Sequence, residues 1–234
     1  MMAFERKGKI FFIRPAVPAD IPRVMEIYAE ARGFMRRNGN PVQWIDGYPQ
    51  EEVVRRDLAD GHLFVGIGPD EVDETYRHQG EARFERPAEG TLGAGDLVSG
   101  HPASSQPRPA IPQASVLASS SAAPASNPVR PILGVFCHRP GPEPNYARIE
   151  DGTWPDDKPY YVLHRIASAP GVHGFASFAM DWCLQRHPVL RVDTHQDNRP
   201  MLHLLSKLGF ARCGIIHVEN GTPRIAFQKE VFKV

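Results

Sequence analysis

A mixed α/β fold, with a mostly antiparallel sheet of about seven strands and flanking helices, is predicted by three observations. Short β-branched or aromatic runs alternate with helically spaced apolar stripes. The stretch 160–210 reads strand, tight loop, helix, strand, helix, and the chain closes on a hairpin signal at Asn220-Gly221. At 234 residues the chain can bury one sizeable core, or one core plus an appendage.

Lys9 to Pro15 reads as the first strand, and IRPAVPAD as a turn into a helix. Ile21, Val24, Met25, Tyr28 and Ala31 share one face of that helix, and Gly33 is expected to close it. Phe34 to Tyr48, FMRRNGNPVQWIDGY, mixes apolar, amide and aromatic residues. Glu51 to Asp60 reads as a short helix ending at Gly61, and His62 to Gly66 as a strand. From Gly66 to Arg130 the periodicity dissolves, and Pro87 to Pro128 is dominated by Pro, Gly, Ser and Ala. Such a composition cannot bury enough apolar area to offset a backbone ordering cost of ~1–2 kcal/mol per residue. The expectation is one domain, 1–234, interrupted at about 67–130 by a disordered surface insertion. Its place between two strands makes it an enlarged hairpin loop, because neither flank completes a sheet alone.

Pro131 to Cys137 resumes as a strand buried on both faces, and NYARIEDGTW turns at Asp151-Gly152, bringing Tyr146, Glu150 and Trp154 toward the next strand. Tyr161 to Ala167 is β-branched and aromatic enough for a strand, and Pro170, Gly171 and Gly174 break it. A helix starting near Gly174 carries Phe175, Phe178, Ala179, Trp182 and Cys183 on one stripe and ends at Pro188. Val189 to Thr194 is the next strand. Asn198 can cap the following helix, with Pro200 in its first turn, a buried face of Met201, Leu204, Leu205 and Leu208, and Gly209 as the stop. Ala211 to Val218 and Arg224 to Lys229 are the hairpin strands.

A glycine-bearing loop feeding a helix N-terminus presents backbone N–H groups without intrahelical acceptors, a setting that suits a phosphate. Gly174-Phe175-Ala176 fits the last three positions of the signature Gln/Arg-x-x-Gly-x-Gly/Ala, whose first position here falls on Gly171. With Asp197-Asn198, a leucine-rich helix and Gly209-Phe210 following, the stretch resembles the cofactor-binding half of the GNAT superfamily of acetyl-CoA-dependent N-acetyltransferases. HRIASAPGVHG, RVDTHQDN and LGFARCGII are similar to one bacterial branch of it.

The resemblance implies the acyl-CoA N-acyltransferase fold, acetyl-CoA as co-substrate, and a pyrophosphate cradle at His173, Gly174, Phe175 and Ala176. It also implies that a backbone N–H at Ile166 or Ala167 polarises the acetyl carbonyl, and that Asn198 reaches toward the cofactor unless its N-cap role occupies it. The segment 34–48 corresponds to a wall of the acceptor pocket. Many members carry a tyrosine that donates a proton to the departing thiolate, and Leu205 stands at that position. Cys213, a water, or departure as the thiolate are the alternatives.

Acetyl transfer also needs a group that makes the amine neutral. The candidates are His164, Asp193, His195 and Glu150. Strand alternation puts Asp193 and His195 on one side, so that a carboxylate could orient an imidazole of ordinary pKa near ~6.5. His164 could lie beneath the acceptor amine, and Glu150 could attract a cationic amine. Trp44, Tyr48 and Trp154 are candidates to line the pocket. Each has a bland alternative in core packing or loop bracing.

The 27 basic and 27 acidic residues cancel, so no pull toward nucleic acid or an anionic membrane is expected. Three widely separated cysteines, Cys137, Cys183 and Cys213, indicate neither a disulfide framework nor a zinc site, and no histidine spacing indicates a metal. A reducing cytoplasm fits, and the run Ile10 to Ile13 is too brief for a signal-peptide core. The expected partners are a small-molecule or protein amine, with the chain a monomer or homodimer. The competing expectations are a GNAT-fold module that binds acyl-CoA without turnover and an interaction protein acting through the Pro-rich insertion.

Overall fold

The computed structural model describes residues 4–6, 9–68 and 131–232. The segment 69–130 lies outside them, so the expected insertion is seen only through its flanks. Those flanks pair in the sheet. β3 (Leu63–Ile67) and β4 (Ile132–Pro140) run antiparallel from Leu63 against Cys137 to Ile67 against Ile132, with one register shift between Gly66 and Ile67.

Among the described residues eight strands form one sheet. β1 (Phe4–Arg6) and β2 (Lys9–Pro15) precede α1 (Ile21–Arg37) and α2 (Glu51–Ala59). β3 and β4 are followed by β5 (Tyr161–Ser168), α3 (Phe175–Arg186), β6 (Val189–Thr194), α4 (Arg199–Lys207), β7 (Ala211–His217) and β8 (Pro223–Glu230). The spatial order is β1-β2-β3-β4-β5-β6-β8-β7. Every pairing is antiparallel except β5 with β6, which α3 joins as a crossover. The eighth strand is β1, three residues at the sheet edge and too short for a period to show in sequence.

Two boundaries moved for physical reasons. α1 runs on through Gly33 to Arg37 and stops where Asn38 Nδ2 donates to Phe34 O and Gly39 takes φ +79°. β4 extends past Cys137 to Pro140 because His138 and Arg139 still find partners in Leu163 and Val162.

One sheet face is covered by α3 and α4. There Phe136, Leu163, Phe175, Phe178, Met180, Trp182, Leu190 and Leu205 form the largest core cluster. The other face is covered by α1 and α2 over Val65 and Val135, and further along by Tyr146 and Trp154 over Val162 and Ile216. Phe175 locks the start of α3 to the sheet. A Cβ at Gly134 would lie 2.2 Å from its ring and one at Gly66 also 2.2 Å, so both strands are bare where the ring rests. Because Phe175 is wholly buried it cannot swing away. Gly134→Ala is therefore expected to overpack the core by about 1–3 kcal/mol, read as a lower urea midpoint with an unchanged slope.

Candidate active site

β5 and β6 pair only through Tyr161 with Leu190 and Val162 with Arg191, then part company. On its other side β5 carries a bulge. Val135 faces Ala167 while Cys137 faces His164, so one residue too many lies between them, and Arg165 absorbs it at φ +51°. The bulge turns both His164 and Arg165 toward the α1/α2 face, where their partners lie, and leaves Ile166 packed against the α3 side. The Ala169 N–H donates to Leu133 O in β4. Strand alternation gives the Ala167 N–H that same side and sends the Ile166 N–H toward the open edge facing β6.

His164 is held in a carboxylate frame. Its Nε2 lies 2.9 Å from Glu143 Oε2, and its Nδ1 lies 3.7 Å from Asp193 Oδ1, across the gap where the two strands have separated. Tyr146 Oη donates to Asp193 Oδ1 at 2.7 Å, and the Trp154 Nε1–H donates to Tyr146 O at 3.0 Å. Arg139 ion-pairs with Glu143, whose Oε1 also accepts from Asn145 Nδ2 at 3.0 Å. The tautomer that donates Nε2–H to Glu143 is the one in which Nδ1 is the acceptor nitrogen beside Asp193.

Burial works to raise the Glu143 pKa, but the hydrogen bond and charge of His164, with Arg139 behind them, hold it down at about 2. A carboxylate with a depressed folded-state pKa adds stability that is present above its unfolded pKa, about 4.3, and is lost as pH falls through its folded pKa. Urea midpoints are therefore expected to fall between about pH 4.3 and 2 more steeply in the wild type than in Glu143→Gln.

Beside this frame, Arg165 Nε and Nη2 grip the two Asp57 oxygens at 2.8 and 2.7 Å, and Nη1 donates to Tyr48 Oη at 3.0 Å. Trp44 meets Tyr28 edge-on at 5.5 Å and Tyr48 at 6.5 Å. Tyr28 Oη is buried without a hydrogen-bond partner among the described residues, and burial raises its pKa well above the ordinary tyrosine value. The predicted aromatic wall of Trp44 and Tyr48 thus lies next to the bulge.

At the other end of β5, Gly174 takes φ +87° and opens α3, with His173 and Gly174 exposed and Ala176 half-buried. Asn198 serves as the N-cap of α4. Its Oδ1 accepts from the Met201 N–H at 3.3 Å and its Nδ2 donates to Gln43 Oε1 at 2.9 Å, so both polar ends are engaged within the protein. His195 is buried, and its Nδ1 accepts from the Asp197 N–H at 3.2 Å. Burial and then Arg224 lower its pKa, with Asp197 opposing them. The expected Asp193–His195 pairing is thereby replaced: Asp193 serves His164, and His195 braces the turn into α4.

The remaining candidates lie apart from this centre. Glu150 is exposed, pairs with Arg148 at 3.0 Å, and is fixed by backbone bonds to Ile215 in β7. Trp154 packs on Tyr146 with ring centroids 5.1 Å apart, so it supports the frame from behind. Leu205 is fully buried in the α3/α4 core. Cys213 is buried, donates to Ala211 O at 3.4 Å, and has its pKa raised by burial, which suits neither a nucleophile nor a ready acid. Among the described residues, no group of three or more His, Cys, Asp or Glu could hold a metal ion, and no helix is long and apolar enough to cross a membrane.

By sequence the chain matches no protein-family model and no curated protein. By structure it is similar to a GNAT-family acetyltransferase from Streptococcus agalactiae, with a TM-score of 0.63 and 24% identity over 97% of this chain and 98% of that one. The fold is that of the GNAT acetyltransferases. A GNAT-family acetyltransferase from Listeria monocytogenes aligns over 98% of this chain and 100% of that one, with a TM-score of 0.56 and 15% identity. The GNAT fold expected from the Gly174-Phe175-Ala176 setting is thus observed.

Glu143, Asp57, Arg165 and Gln43 were not among the sequence candidates. Glu143 and Gln43 sit in aperiodic loops, and the Arg165–Asp57 pair joins residues 108 positions apart, so no local pattern announces either.

Proposed function

We propose that this chain is an N-acetyltransferase that moves an acetyl group from acetyl-CoA to a primary amine of a small molecule or protein by direct attack on the thioester. The observation that carries the reading is the open β5 edge at Ile166, flanked by a framed imidazole on one side and by the left-handed glycine that opens α3 on the other. The residues fit the co-substrate. Gly174 and Ala176 are small and accessible enough for a diphosphate to approach the first turn of α3, and the parted strands leave backbone amides for the pantetheine arm. Acetyl-CoA supplies the activated thioester carbonyl.

In this reading the chain's own groups divide the work. His164 Nδ1 accepts the proton that the amine sheds, and Glu143 fixes the ring and its tautomer from the far side. Asp193, held by Tyr146, draws the ammonium form in and balances the imidazolium. The Ile166 N–H points at the carbonyl oxygen and stabilises the charge that grows there. Leu205, closed into the core at the position of the family's tyrosine, offers no acid, and in this reading the sulfur departs as thiolate. The three free, buried cysteines suit a reducing compartment such as the cytoplasm.

The buried Leu205 and the Gly171 substitution favour a second reading, a module that binds acyl-CoA without turnover. Free-thiol release from acetyl-CoA across an amine panel, with calorimetry on the same protein, separates the two. Thiol release above the buffer rate with at least one amine supports the transferase, whereas coenzyme A heat without release for any amine supports the module. No heat with any coenzyme A derivative would remove both.

A further inference from the structure

The buried arginines differ in how their charge is answered. Arg14 ion-pairs with Asp20 at 2.6 Å and Arg165 with Asp57 at 2.7 Å. Arg191 lies over the Trp154 and Tyr160 rings at 4.0 and 3.8 Å, with Gln228 accepting from its Nε. Arg224, at 6% exposure, makes no ion pair and stacks on no ring among the described residues. Its Nη2 donates to Gln43 O at 3.0 Å and its Nη1 to Pro223 O at 3.2 Å, which leaves three of the five N–H donors of a guanidinium without a protein acceptor among the described residues. Burial lowers its pKa, and Asp193 and Tyr48 are near enough to oppose that.

Burying a cation without a counter-charge is costly, and such a group persists where something else repays it. Stability is better served by an apolar residue at this strand position. Position supplies the reason for a charge. Ile225, the next residue of β8, pairs with Thr194 at the end of β6, one residue beyond Asp193. Gln43 belongs to the loop that carries Trp44 and Tyr48, so the guanidinium lies between the aromatic wall and the His164 frame. Asp193 acts on it only from a distance: it makes no ion pair with Arg224 among the described residues, and its Oδ1 is engaged by Tyr146 at 2.7 Å and faces His164.

We propose that Arg224 receives a carboxylate of the acceptor, so that the substrate is an amine carrying its own carboxylate, with the ammonium toward Asp193 and His164 and the acid toward Arg224. The proposal rests on the acetyl-transfer reading for the amine end only. Bidentate guanidinium–carboxylate pairing is strong and orienting, and it fixes the distance at which the amine is presented.

The test compares an α-amino acid series with the matching amines that lack only the carboxylate, and with short peptides bearing an acidic side chain near a lysine. Two readouts are taken on wild type, Arg224→Gln and Arg224→Lys: calorimetric binding in the presence of coenzyme A, and thiol release from acetyl-CoA. For wild type, at least one carboxylate-bearing acceptor should bind about 10- to 100-fold more tightly than its decarboxylated partner, and that ratio should fall toward one in Arg224→Gln. Preference for the free amino acid over the peptide assigns a small-molecule acceptor, and the reverse assigns a protein one.

Equal binding of matched pairs by wild type overturns the proposal without recourse to any variant, as does a ratio that Arg224→Gln leaves intact. Selective carboxylate binding without thiol release would keep the anion site and remove the transferase reading, so the two fail separately. Thermal melts and coenzyme A binding of each variant exclude misfolding as the cause of a lost ratio.

Discussion

Asp57→Ala is expected to cost about 3–5 kcal/mol, more than any other single change to the site, because it strands the Arg165 guanidinium. The pair is almost closed to solvent, with side chains 11% and 10% exposed, and both carboxylate oxygens are used. Burial acts against the charge on Arg165, and its acidic neighbours, with the Asp57 carboxylate in direct contact, more than offset it, so Arg165 stays protonated at any working pH. Removing the stranded charge as well, in Asp57→Ala with Arg165→Met, should recover much of the loss, and a double-mutant cycle in urea measures the coupling directly.

The pair also holds the bulge. Arg165 adopts φ +51°, a left-handed conformation that costs a non-glycine residue roughly 1–2 kcal/mol, and Asp57 and Tyr48 grip its side chain from two elements of the opposite layer. Arg165→Gly should therefore be better tolerated than Arg165→Ala by about 1 kcal/mol, since glycine adopts this conformation without strain. If the bulge relaxes in Asp57→Ala, the amide alternation of β5 shifts and Ile166 no longer faces the gap. Thiol release should then fall even at temperatures where the variant is fully folded.

The skeleton of the fold was legible because it rests on periodicity. The Phe175–Cys183 stripe, the Asn198 cap and the Asn220-Gly221 hairpin are local patterns, and each appears in the structure where its residues put it. Asp193 was legible as a polar residue at a strand end, but its partner was not. Alternation along β6 suggested His195, two residues away, whereas the separation of β5 and β6 brings His164 to it instead. The α1 terminus lies four residues beyond Gly33 because a glycine's helix penalty of about 1 kcal/mol does not end a helix by itself, and the stop comes where Asn38 caps Phe34 O and Gly39 turns left-handed. Glu143 and Arg224 carry no pattern at all. What marks them is burial of charge, and burial is a property of the folded chain.

His164→Gln is expected to lower kcat/KM by roughly 10²–10⁴, the usual worth of a positioned general base. A base and a mere support predict different pH behaviour. If Nδ1 takes the amine proton, the acid limb of the wild-type kcat/KM profile should vanish in His164→Gln, leaving a rate that follows the free amine alone. Glu143→Gln keeps the imidazole but weakens the bond that fixes its tautomer. Its loss should be smaller, and the acid limb should shift without disappearing. Asp193→Asn should act chiefly on acceptor KM, since its carboxylate faces the ammonium end of the site and is already held by Tyr146. A His164→Gln enzyme that keeps both its rate and its acid limb would take the imidazole out of the chemistry, leaving amine deprotonation to solvent and the Glu143–His164 frame to the packing of β5.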